Sequence, residues 1–99
     1  MLIKYGSKQL EKVCTVAEVA RRKYSDRMAE KIQQRISEIK LADSVELLIQ
    51  FRIGRCHQLK GKRKNQYAMD LVHPFRLIFT KDEDECVQIA MIIEIADYH

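Results

Sequence analysis

Apolar residues recur with a helical period through the first half of the chain. A short apolar segment, residues 2–5, comes first and predicts a strand that ends at Gly6. The clearest helical period has intervals of four, four and three, in Met28, Ile32, Ile36 and Ile39. Three serines precede the helical segments: Ser7, Ser25 and Ser44. Because a serine hydroxyl accepts a hydrogen bond from a free N–H of the first turn, we predict helices beginning after each.

Two further features refine these helices. Thr15 and Glu18 have the spacing of a capping box, which predicts a break near Cys14-Thr15 and a second helix through about Tyr24. The helix that follows Ser44 is expected to reach about Phe51, with Gly54 as its terminator. On the longest helix, the solvent side is predicted to carry Lys31, Gln34, Arg35 and Glu38.

After Gly54 the period changes to the alternation that is typical of strands. Strands are predicted over residues 56–59, 66–72, 75–80 and 87–95, with a turn at His73-Pro74 and a charged loop over 81–85. The last strand is apolar on nearly both faces, which predicts a central place in the sheet with cover on both sides. The chain is therefore predicted to be α+β, with an N-terminal strand and helices packed on one face of a mostly antiparallel C-terminal sheet.

Composition indicates an ordinary globular protein. Ninety-nine residues, 46% apolar and 32% charged, predict one domain over residues 1–99. The N-terminus lacks the apolar core of a signal peptide, and the longest near-apolar run, 89–93, is too short to span a membrane. The three cysteines are widely spaced, so we expect reduced thiols in a cytoplasmic protein.

Positive charge is concentrated in the middle of the chain. The formal net charge is +4, and no acidic residue lies between Glu46 and Asp70. That window contains Arg52, Arg55, Lys60, Lys62, Arg63 and Lys64. A triplet such as 62–64 on a loop suits a phosphate backbone, although a solvated charged turn is the alternative.

Two separated segments carry acid/base groups. His57 lies on a predicted strand, and the chain ends with Asp97, Tyr98 and His99. A carboxylate, a phenol and imidazoles can move protons near neutral pH. The alternatives are a structural histidine and a frayed polar terminus.

Other candidates depend on which face of the sheet they occupy. The alternation of Arg76 with Phe75 and Leu77 predicts a guanidinium on the open face, with an ion pair to Asp70 as the alternative. Tyr67 could stack on a base or pack in the core. His73, beside Pro74, is interpreted as structural. We expect no metal or other cofactor, because adjacent Cys56 and His57 point to opposite faces and no glycine-rich phosphate loop is present.

Three segments, residues 55–63, 66–71 and 75–79, resemble the HigB group of RelE-superfamily bacterial toxins. The shared pattern is His-x-Leu-Lys-Gly, a basic loop, a strand led by an aromatic residue, and a strand with the run Phe-Arg-Leu-Ile-Phe. Asp97-Tyr98-His99 matches the C-terminal tripeptide of that group. Two departures are a longer helical region and Lys62 where an acid often stands, which bear on antitoxin docking and on contacts to ribosomal RNA.

The resemblance implies a RelE-like fold and a ribosome-dependent endoribonuclease that cleaves mRNA without a metal. It also implies a hetero-oligomer with a cognate helix-turn-helix antitoxin of the HigA kind. Catalytic roles carry over to His57, Lys60, Arg76, Asp97, Tyr98 and His99. RNA binding is expected of Arg55, Lys62, Arg63, Lys64 and Tyr67.

Three other functions fit the same residues. The basic patch could belong to a non-catalytic nucleic-acid-binding module, and the fold could belong to a gyrase poison or to a degenerate toxin retained for its partner. The acid/base groups favour the nuclease, since binding alone requires neither imidazole.

Overall fold

The computed structural model describes residues 1–98 and forms one sheet with helices on one side. The strands are β1 (Leu2–Tyr5), β2 (His57–Gln58), β3 (Gln66–Asp70), β4 (Phe75–Asp84) and β5 (Val87–Asp97). The helices are α1 (Lys8–Thr15), α2 (Ala17–Lys23), α3 (Asp26–Leu41) and α4 (Val45–Gln50), with 3₁₀ turns at Ile53–Arg55 and Gly61–Arg63. Within residues 1–98, every helix is too short or too polar to cross a membrane.

The sheet has the order β1-β5-β4-β3-β2. β1 runs parallel to β5, and the other neighbouring strands are antiparallel. The register shifts in the β4–β5 pair, where Ile78 faces Glu94 and Phe79 faces Ile92, so Ile93 is an extra residue. The predicted α+β architecture is confirmed, and β5 lies inside the sheet between β1 and β4.

The core lies between α3 and one face of the sheet. The predicted stripe of Met28, Ile32, Ile36 and Ile39 is buried there, as are Met69, Leu77, Phe79 and Ile92 on the strands. The opposite face, called the open face below, has a small apolar cluster of Ala68, Ile78 and Ala96, against which Leu59 and Ile93 pack. The prediction of cover on both sides of β5 was therefore wrong, because helices cover only one face and the apolar cluster on the other is small.

The three serine caps are confirmed, whereas the capping box is wrong. The hydroxyls of Ser7, Ser25 and Ser44 accept hydrogen bonds of 3.1, 3.0 and 3.2 Å from the backbone N–H three residues ahead. Thr15 is still part of α1, so its hydroxyl donates to the carbonyl of Glu11 at 2.7 Å. The extended residue before α2 is Val16, and Glu18 pairs with two arginines on its own helix.

Arg35 is buried, contrary to the predicted solvent side. Only 8% of the residue is exposed. Its Nε donates to the carbonyl of Asp70 at 2.6 Å, and its Nη1 donates to Glu38 at 2.8 Å. Gly54, with φ of +58°, lies against this guanidinium, and a Cβ there would be 2.7 Å from Arg35 Nε. Gly54 therefore makes room for Arg35. It does not terminate α4, which has already ended at Gln50, and Arg52 is the first left-handed residue after that helix.

Strand bounds differ from the prediction at both ends of the meander. β2 contains only His57 and Gln58, and β3 ends at Asp70. The acidic run that was predicted as a loop extends β4 to Asp84. The connection is instead a tight turn at Glu85 and Cys86, both with positive φ. The hairpin continues beyond the core, where charged side chains stay in water, so hydrophobic alternation could not reveal it.

Candidate functional site

Arg76 lies on the open face, as its alternation with Phe75 and Leu77 predicts. The register pairs it with Asp70 on β3 and Ala96 on β5. Its Nε is 3.7 Å from Asp70 Oδ1, which is an ion pair too long to be a hydrogen bond. Asp70 Oδ2 accepts a much closer bond of 2.5 Å from Arg55 Nε. The strongest partner of Asp70 is thus Arg55, and within residues 1–98 Arg76 forms no side-chain hydrogen bond.

Tyr98 packs on this guanidinium. Its ring centroid is 4.8 Å from Arg76 Cζ, which is a cation–π contact. The backbone N–H of Tyr98 donates to the carbonyl of Pro74 at 2.9 Å, and Asp97 pairs with Phe75 at the start of β4. The end of β5 is therefore attached to the turn between β3 and β4, directly beside Arg76.

Arg63 connects the basic loop to the same place. Its guanidinium donates to Gln66 at 2.6 Å, to Glu94 at 2.6 Å and to the hydroxyl of Tyr98 at 3.2 Å. The hydrogen bond to Glu94 is the main cause that raises the pKa of Arg63 above its ordinary value. Because Leu59 also packs on the open face, the segment between β2 and β3 folds back onto the sheet.

His57 occupies the same face. It pairs with Ala68, which pairs with Ile78, which pairs with Glu94, and directly paired residues share a face. Its Nδ1 is 2.9 Å from the carbonyl of Arg55. Because a carbonyl can only accept, Nδ1 carries the proton in this contact. Nε2 is then the ring nitrogen that remains available for proton transfer.

Three cations of the loop remain exposed. Within residues 1–98, the side chains of Lys60, Lys62 and Lys64 form no hydrogen bond or ion pair. Lys60 lies just before the 3₁₀ turn at Gly61–Arg63, and the other two belong to that turn or follow it. These ammonium groups are available to an anionic partner, whereas Arg55 and Arg63 already have carboxylate partners.

Tyr67, a predicted site residue, is not part of this arrangement. Tyr67 lies on the helix-covered face, only 8% exposed, with its ring stacked on Phe79 at 5.7 Å between centroids. This position favours core packing, the alternative interpretation of Tyr67, over stacking on a base. His99 lies outside the described residues.

Glu94 and His73 belong to this arrangement, although neither was predicted as a site residue. The signal for Glu94 is a lone acid between Ile93 and Ile95 in an otherwise apolar strand. His73 is exposed and lines a small cavity of about 80 Å³ with Arg55, Asp70, Arg76 and Tyr98. Across residues 1–98, no group of three or more histidine, cysteine or acidic side chains is placed to hold a metal ion.

The arrangement suits anion binding coupled to proton transfer. A guanidinium with unused N–H donors can hold a phosphate, and the adjacent phenol and the imidazole on the same face are acid/base groups. Lysines around them extend the positive surface.

Comparison with known proteins identifies the fold. No protein-family model matches the sequence, and no curated protein matches it. Among the solved structures that resemble this chain is a YoeB/ParE toxin from Agrobacterium tumefaciens, with a TM-score of 0.68 and 16% identity over 100% of both chains. The YoeB dimer from Staphylococcus aureus has a TM-score of 0.64 and 21% identity, covering 100% of this chain and 97% of that one. The YoeB–YefM complex from the same organism has a TM-score of 0.61 and 21% identity, covering 100% and 98%. At these identities the shared property is the architecture, and the chain therefore has the α+β fold of the RelE/YoeB-like toxins.

Proposed function

We propose that this protein is the toxin of a type II toxin–antitoxin pair and that it cleaves mRNA on the ribosome without a metal. The observation that carries the proposal is Arg76, a half-buried guanidinium with no hydrogen bond within residues 1–98, packed on Tyr98. Desolvating an arginine is costly, so an arginine held in place without hydrogen-bonding partners suggests a ligand that supplies them. A phosphate provides paired oxygens for such a fork.

The chemistry is an internal transfer at phosphorus. The ribose 2′-oxygen attacks the adjacent phosphorus, the bond from phosphorus to the 5′-oxygen breaks, and a 2′,3′-cyclic phosphate and a 5′-hydroxyl result. His99, oriented by Asp97, removes the hydroxyl proton and His57 protonates the leaving oxygen, or the two imidazoles exchange these roles. Lys60 and Arg76 hold the phosphate and stabilise its added charge, while Tyr98 positions the nucleotide.

The basic loop would bind ribosomal RNA. The exposed ammonium groups of Lys62 and Lys64 support this role, because they lack partners of their own within residues 1–98. Such contacts are sequence-independent and weaken as salt rises. Arg63 is expected to contribute less to RNA affinity, since Glu94 already neutralises it.

The partner would be a helix-turn-helix antitoxin of the HigA kind, which the sequence resemblance implies. One structural neighbour is a complex of YoeB with YefM, which supports the expectation of a protein partner for this fold. The toxin would act in the cytoplasm, where its ribosomal target is.

Inducible expression followed by mapping of mRNA 5′ ends tests the proposal. Wild-type protein should arrest growth and produce cuts within translated frames. Arg76→Gln should lower cleavage by about 100-fold or more, as expected for loss of a donor that stabilises the transition state. Arg27→Gln is a matched control on α3, because Arg27 is exposed and lacks partners within residues 1–98.

One outcome would contradict the nuclease, and another would contradict the role of Arg76. Intact mRNA together with damaged supercoiling would indicate a gyrase poison. Cleavage that is unchanged by Arg76→Gln, at equal expression and with an unaltered circular-dichroism spectrum, would remove Arg76 from the mechanism.

A further inference from the structure

The turn between β3 and β4 contains a small cationic cavity. Its polar lining consists of Arg55, Asp70, His73, Arg76 and Tyr98, and its volume is about 80 Å³. Two guanidinium groups and an imidazole thus surround one carboxylate. This excess of N–H donors favours an anion, and the cavity extends the proposed phosphate site of Arg76 toward Arg55 and His73.

Arg55 has N–H donors that form no hydrogen bond within residues 1–98. Its Nε bonds Asp70 at 2.5 Å, which fixes the direction of the side chain. Within residues 1–98 its two Nη groups have no partner, and 71% of the side chain is exposed. An arginine anchored through Nε can still present an Nη pair to an incoming anion. Asp70 also moderates the repulsion between Arg55 and Arg76, so the cavity is preorganised before a ligand arrives.

His73 completes the lining from a firmly held turn. Leu71 N–H donates to the carbonyl of Phe75 at 3.0 Å, and Phe75 N–H donates to that of Val72 at 2.8 Å. The bond from Tyr98 to Pro74 closes the third side of this turn. The imidazole of His73 itself is exposed, and it forms no hydrogen bond within residues 1–98. Core packing does not account for this side chain, which is free to donate to a ligand.

We propose that this cavity binds the RNA phosphate next to the one that is cut, with Arg55 and His73 as its ligands. The inference rests on the proposed function. In the sheet register Arg76 lies between Asp70 on β3 and Ala96 near the end of β5, Tyr98 packs on its guanidinium, and Asp70 holds Arg55. A strand whose reacting phosphate binds at Arg76 and Tyr98 would thus deliver its neighbouring phosphate to Arg55 and His73. This second contact would fix the backbone direction of the substrate.

Uncleavable RNA with single neutral phosphates tests this subsite. The probes are short single strands, 2′-O-methylated throughout, in which a methylphosphonate replaces one phosphate at a time. Fluorescence anisotropy at fixed low salt gives the affinity for each probe. The affinity of the wild-type protein should fall about tenfold when the methylphosphonate stands at either of two adjacent phosphates, as expected for loss of a charge-assisted hydrogen bond.

The variants assign each position. With Arg55→Gln or His73→Gln, one of the two positions should become insensitive to the methylphosphonate, while the other keeps its tenfold effect. Arg76→Gln should show the reverse pattern. Arg55→Lys, which keeps the charge but loses the fork, should retain part of the effect. Lys12→Gln on α1, an exposed lysine without partners within residues 1–98, should match wild type.

Each remaining outcome is decisive. If Arg55→Gln and His73→Gln match wild type on every probe, or if wild type shows fewer than two sensitive positions, the subsite is overturned. Cleavage of mRNA is measured separately with the same preparations. Two sensitive phosphates without cleavage would overturn the nuclease alone, whereas cleavage with one sensitive phosphate would overturn the subsite alone.

Discussion

At the scale of single residues, Arg35 joins the longest helix to the back of the site. Its bond to the carbonyl of Asp70 holds the end of β3, and the carboxylate of Asp70 in turn holds Arg55. Sequence periodicity could not identify this role, because a lone arginine beside an apolar stripe has the same pattern whether it bonds water or a distant carbonyl.

Replacing Arg35 with methionine should lower the free energy of unfolding by about 2 kcal/mol, since the partly buried carbonyl of Asp70 and the carboxylate of Glu38 both lose their donor. Urea denaturation followed by circular dichroism measures this change. Gln33→Met, an exposed position on α3, is the control and should change stability by less than about 0.5 kcal/mol. Equal stability of the two variants would show that Arg35 is not a structural link.

The three thiols differ in their surroundings. Cys14 and Cys56 are buried, and burial raises the pKa of each to about 12, whereas Cys86 is exposed in the β4–β5 turn. Since the thiolate is the reactive form, a disulfide reagent at pH 8 should modify one thiol quickly and two only on unfolding. Cys86→Ser should abolish the fast phase. A fast phase that persists would mean that a buried thiol is accessible.

At the scale of elements, the β4–β5 hairpin has an unusual turn. Glu85 and Cys86 have φ of 48° and 74°, a left-handed pair that asparagine and glycine adopt far more readily. Replacing Glu85 with asparagine and Cys86 with glycine should therefore stabilise the protein by about 1 kcal/mol, measured by thermal or urea unfolding. Cys86→Ala removes the thiol without relieving the backbone and should give no such gain. If the double variant, Glu85→Asn with Cys86→Gly, were no more stable than Cys86→Ala, this explanation would be contradicted.

The start of α4 is bound to the sheet through Glu46. Its carboxylate accepts from Gln88 at 2.7 Å and from Lys81 at 2.6 Å, and these bonds, that from Gln88 first, lower its pKa to about 2. Gln88 also accepts from the N–H of Val45 at 2.9 Å. A depressed carboxyl pKa stabilises the folded state above the ordinary value of 4.5, and this contribution is lost as pH falls from there toward 2.

Glu46→Gln should remove that part of the pH dependence. Because the side chain is 56% exposed, solvent screening limits the contribution to below about 1 kcal/mol. Urea unfolding of wild type and variant should show stability curves that converge toward pH 2, diverge as pH rises to about 4.5, and stay a constant distance apart up to pH 6. Parallel curves throughout would exclude Glu46 as the titrating group.

At the scale of the whole molecule, alternation and caps were sufficient to predict the architecture, and they were insufficient for the site. Alternation placed Arg76 on the open face, because its neighbours Phe75 and Leu77 are plainly apolar. The link from Arg63 to Glu94 spans 31 residues of sequence and depends on how the loop folds back. Arrangements of that kind follow from strand register and side-chain reach, which a single sequence does not encode in any local pattern.

The parallel pairing of β1 with β5 has a consequence for the order of assembly. Residues 2–5 leave the ribosome before the other strands, yet their partners are residues 89–92, so this edge of the sheet is completed only after β5 has been made. β3, β4 and β5 can pair early because short connections join them. β1 can pair with β5 only after the long intervening segment of chain has brought the two strands together. Docking of β1 is then a late event, and Ile3→Ala should accelerate unfolding in stopped-flow experiments while leaving the refolding rate nearly unchanged. A slower refolding rate would instead place this strand in the nucleus.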